Sequence, residues 1–149
     1  MENGNTNPEQ VYTSMLVTWG ALLMAQVMFL VIVFVTKPEL AKFEFTQPIL
    51  GGRAAVITAF FAVAVTALVV GMMLKKRFLE RSVTEQKVGL VQTAMIVCCA
   101  LGEVGSLLGL LLAFMYNYPY FYLFVAIGAI GIALSFPRRS DVHAASYKT

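Results

Sequence analysis

The stretch from Gln92 to Phe114 constrains this chain more than any other. It is an unbroken apolar run long enough to cross a bilayer, because a helix rises about 1.5 Å per residue and roughly 20 apolar residues span the hydrocarbon. Near its middle stands one acid, Glu103. The other acidic residues all lie in predicted tails or loops. A carboxylate in hydrocarbon is unfavourable by about 2.5–3.5 kcal/mol even on lenient insertion scales. Something must offset that penalty, either ion or proton chemistry at Glu103 or a structural hydrogen bond.

Composition extends the same reading to the whole chain. Of 149 residues, 59% are hydrophobic and 13% are charged, about half the charged fraction of a soluble domain. The expectation is a multi-pass integral protein of the cell membrane whose first partner is the lipid bilayer. The net charge of +3 comes without a basic cluster interleaved with aromatics, so nucleic acid is not an expected partner. The two cysteines, Cys98 and Cys99, are adjacent inside a predicted span and read as small buried apolar residues. The N-terminus lacks the basic region of a secretory signal, so the first span is expected to persist as a helix.

Four spans are predicted, at about 14–36, 54–74, 89–115 and 121–136. Polar tails at 1–13 and 140–149 flank a single membrane domain over 14–139. Lys37-Pro38 ends the first span, since proline disfavours helix for the residue before it. Phe43, Phe45 and Ile49 make the connector 37–52 amphipathic and place it on the membrane surface. Lys75-Lys76-Arg77 stops the second span, and the charged stretch 78–88 reads as a water-exposed loop. Pro137-Arg138-Arg139 ends the fourth. The expected fold is therefore all-α, a four-helix transmembrane bundle of two membrane hairpins. Eight of the eleven basic residues (Lys75, Lys76, Arg77, Arg81, Lys87, Arg138, Arg139 and Lys148) fall on the side of the termini. The positive-inside rule then places both termini in the cytoplasm.

On the third helix, Gln92, Ile96, Cys99, Glu103, Ser106 and Leu110 share one side. A polar stripe of this kind should face protein or water rather than lipid. Beside it, Gly102, Gly105 and Gly109 are small residues that let helix backbones approach closely, a packing seam that suggests self-association. Low dielectric disfavours the charged form of a carboxyl. No cation shares the depth of Glu103, so a neutral acid is expected, bonded to Gln26, Thr58, Thr66 or a carbonyl. Ala25-Gln26-Val27 and Gly102-Glu103-Val104 form a weak internal repeat at similar depth. His143 reads as a solvated tail residue and the tyrosines of 116–122 as an interface belt.

Three sequence words in this region, Gln92-Thr93-Ala94-Met95-Ile96, Ala100-Leu101-Gly102-Glu103-Val104 and Leu110-Leu111-Leu112-Ala113-Phe114, follow a charged loop. In that order they resemble the carboxyl-bearing helix of the rotary ATPase c subunit, the proteolipid of F-type and V-type machines. The resemblance covers this one helix. It implies that Glu103 binds a proton or sodium ion, with Gln26 and Ser106 as auxiliary ligands, in a homo-oligomer or beside partner membrane subunits. The residues themselves leave a second reading open, a structural or accessory membrane protein in which Glu103 only fixes helix packing. No catalytic triad, metal-spaced Cys/His group or phosphate-cradling glycine loop is present, so neither enzyme chemistry, a metal nor a cofactor is expected.

Overall fold

A computed structural model describes residues 7–41, 48–50 and 53–146. Among them are five α-helices and no strand: α1 (Pro8–Thr36), α2 (Ala54–Thr84), α3 (Val88–Tyr116), α4 (Phe121–Leu134) and α5 (Arg139–Ser146), with a short 3₁₀ turn at Pro38–Ala41. The protein is thus all-α. Helices α1, α2 and α3 are each long and apolar enough to cross a membrane. Helix α4 has 14 residues, short of a full crossing, and reaches that class only if joined to α5 across a 44° bend.

The helix ends follow local chemistry. Asn7 caps α1 by accepting from the Glu9 amide at 3.2 Å, with proline at the first helical position and an acid in the first turn. Lys37, held before Pro38, closes it. The basic cluster at 75–77 ends the apolar surface of α2 but not the helix, which continues to Thr84. The expected loop over 78–88 is therefore a correction. Its residues are good helix formers without glycine or proline, and Lys76–Glu80 and Arg81–Glu85 pair at i,i+4. The actual link is three residues, Glu85–Lys87. Gln86 turns left-handed there (φ 52°) while the Gln86 and Lys87 amides bond back to the Val83 and Ser82 carbonyls. At the far end of α3, Asn117 makes the corresponding left-handed turn (φ 50°), and Pro119 prevents the helix from continuing.

Helix α3 is the most buried of the long helices and α1 the least. Against α4 it packs backbone to backbone. A Cβ on Gly109 would stand 2.9 Å from the Phe121 carbonyl oxygen, and one on Gly131 would stand 3.0 Å from Gly102 Cα. On its α2 side, Leu101 sits over Gly71. Two apolar clusters lie at opposite ends. One gathers Val33, Ile57, Leu112, Phe121, Phe124 and Val125 near Asn117. The other gathers Met15, Val91, Met95, Ile132, Val142 and Ala145 near Arg138. The second cluster holds α5, so the tail expected to be merely polar contributes a packed helix up to Ser146. The expected surface position of Phe43 and Phe45 lies outside the described residues.

Candidate functional site: a polar joint between α1 and α3

Three lines of side-chain bonding fasten α1 to α3 and α4. Near the Arg138 end, Trp19 Nε1 donates to the Ile132 carbonyl at 2.7 Å. Near the Asn117 end, Lys37 Nζ donates to the carbonyls of Ala113 (3.1 Å) and Phe114 (3.0 Å) and to Asn117 Oδ1. A cation there meets the negative end of α3 and its last-turn carbonyls. Lys75 does the same for α4, donating to the Leu134 carbonyl at 3.0 Å.

Between these ends lies the joint that carries the chemistry. Ser106 donates its hydroxyl proton to Gln26 Oε1, and both side chains are buried, at 0% and 3% exposure. Gly128 of α4 makes room for this pair, because a Cβ there would overlap the Ser106 hydroxyl and meet the Gly102 carbonyl at 3.0 Å. The other end of the Gln26 amide, Nε2, is buried without a hydrogen-bond partner among the described residues. In a site this deep, an unpaired amide donor is unfavourable by about 1–3 kcal/mol. It is a donor waiting for an acceptor.

Glu103 stands one turn from Ser106, about 60° round α3. It is half-buried and makes no hydrogen bond or ion pair among the described residues. The structure therefore joins Gln26 to Ser106 and leaves Glu103 beside them, unbonded. Two of its expected partners are elsewhere: Thr58 and Thr66 are exposed on α2. Helical periodicity explains this, since α2 meets α3 through Leu101, on roughly the opposite side from Glu103. Gly102, Gly105 and Gly109 are all buried against α4.

Sequence reasoning missed Gly128 and Gly131 as the opposing half of the glycine contact, although their i,i+3 spacing carried the signal. The three backbone caps by Trp19, Lys37 and Lys75 had no local signal, because each acceptor is a carbonyl far away in the chain. Cys98 and Cys99 are free and buried. No cluster of His, Cys, Asp and Glu suited to a metal occurs among the described residues. Comparison with known protein families, with curated proteins and with solved structures finds no match to this chain.

Proposed function

We propose that this protein is a four-span protein of the cell membrane, with α4 as a short fourth crossing ended by Pro137-Arg138-Arg139, α5 outside it, and both termini cytoplasmic. It self-associates, or docks on partner membrane subunits, and Glu103 binds and releases a proton or sodium ion within the membrane. The observation that carries this reading is the pairing of two unmet needs. An acid in an apolar helix has no bond among the described residues, and Ser106, one turn along the same helix, is bonded to Gln26, whose buried amide donor has no partner among the described residues. A carboxylate that turned towards α1 would accept from Gln26 Nε2, while a neutral acid would stay at the edge. The likeness of the α3 sequence to the c subunit's carboxyl-bearing helix supports the same chemistry.

A second reading has its own support. Ser106 and Gln26 bond without Glu103, so the joint holds helices together whether or not the acid titrates. Carbodiimide labelling separates the two, because the reagent attacks the protonated acid. With a proton site, labelling of Glu103 falls along a titration curve as pH rises, and sodium protects only if sodium binds. Labelling indifferent to both would leave the structural reading. Glu103→Gln supplies the unlabelled control and keeps the same assembly.

A further inference from the structure

At the Asn117 end, a cavity of about 330 Å³ opens between the start of α2, the end of α3 and Pro48 and Leu50. That volume is at the lower end of the range for small-ligand sites. The Tyr118 hydroxyl donates to the Ile49 carbonyl at 2.9 Å and so holds the connector beside the opening. The cavity is two-faced. Arg53, Tyr116 and Asn117 line it at the helix ends, and Val56, Ile57 and Leu112 line it about one turn further along α2 and α3. Among the described residues no carboxylate lines it.

The cation is positioned but uncommitted. The Arg53 guanidinium lies 4.5 Å from the Tyr116 ring centroid and makes no ion pair among the described residues. Stacking leaves the N–H edges of a guanidinium free, and that edge matches two oxygens of a phosphate. Lys37, the neighbouring cation, is already occupied by the carbonyls ending α3. Its bond to Asn117 uses Oδ1 and leaves the Nδ2 protons of that amide available. A positive edge and an amide donor above an apolar floor fit an amphiphile whose head is an anion.

We propose that this cavity binds the phosphate headgroup of an anionic phospholipid, with Arg53 and Asn117 on the phosphate and the first acyl carbons over Val56, Ile57 and Leu112. The proposal rests on the chain spanning a membrane, which detergent-dependent extraction tests separately, and it is independent of whether Glu103 titrates. The experiment is native mass spectrometry of the full chain, delipidated in mild detergent and titrated with phosphatidylglycerol, phosphatidylcholine or inorganic phosphate. Phosphatidylglycerol should bind best, and Arg53→Gln should weaken it about tenfold, the scale of one charge-assisted contact. Val56→Trp fills the floor and keeps the charge. It should weaken the lipid while sparing inorganic phosphate. Arg138→Gln, at the other end, should change nothing. Equal binding of phosphatidylglycerol by the parent protein and Arg53→Gln overturns the proposal. So does a site that takes inorganic phosphate but not the lipid.

Discussion

The Ser106–Gln26 bond shows how a few atoms decide the middle of this protein. Removing one partner and removing both are different experiments. Ser106→Ala would leave the whole Gln26 amide buried without a bond, and unfolding in detergent should become easier by about 1 kcal/mol. Adding Gln26→Leu removes the orphan, so the double variant should recover part of that loss. A double variant less stable than Ser106→Ala alone would show that Gln26 has a partner of greater weight. At this scale the sequence was half legible. Gln26, Glu103 and the glycines of α3 stood out as polar or small residues in apolar runs. That Gln26 would choose Ser106, eighty positions away, over Glu103 was not readable. Two residues on one helix differ by only tens of degrees there, and the crossing of α1 decides between them.

Among the elements, the α2–α3 link and α5 depend most on interactions outside the apolar runs. The Lys87 ammonium, which bonds Glu85 at 2.9 Å, and then the Arg81 guanidinium hold the Glu85 carboxyl below its ordinary value. A carboxyl lowered in the folded state binds fewer protons there than when unfolded. Its contribution is therefore present above the ordinary carboxylate range, around pH 4, and is lost as pH falls through and below it. The hydrogen-exchange protection factor at residues 84–88, taken relative to the intrinsic rate at each pH, should fall in that window, and Glu85→Gln should remove that fall. Glu85 is solvent-exposed enough that the effect should stay local to the link. Helix α5 has eight residues, too few to persist alone in water. It is held by burial of Val142 and Ala145, by Arg139 over the Tyr12 ring at 4.9 Å, and by Arg139 and His143 beside Glu9. Val142→Asp should release it, read as faster tryptic cleavage after Arg138 and Arg139. Unchanged cleavage would mean the charged contacts suffice. The apolar runs predicted α1 and α3 well, because one residue pattern served both membrane and packing. They misjudged α2 and α5, because leaving the hydrocarbon is not the same event as ending a helix.

At the scale of the whole molecule, hydropathy and the positive-inside rule make the sidedness claim directly checkable. In a background with Cys98 and Cys99 replaced by alanine, a cysteine at Ser140 should label only from the cytoplasmic side. One at Leu50 should label only from the opposite side. The reverse pattern, or both sites on one side, would overturn the four-span topology. The class of fold was legible from composition and long apolar runs, and Pro137-Arg138-Arg139 marked the end of α4, whereas α5 was not legible, since its polar residues read as a tail. The hydrogen bonds that hold α1 also set an order of events during biogenesis. Trp19, Gln26 and Lys37 leave the ribosome long before Ile132, Ser106 and Ala113, the residues they bond with. On the membrane-spanning reading proposed above, the first helix waits in the bilayer with its amide unmet until the third stands beside it. A truncation before Ser106 would leave Gln26 without the hydroxyl that bonds it.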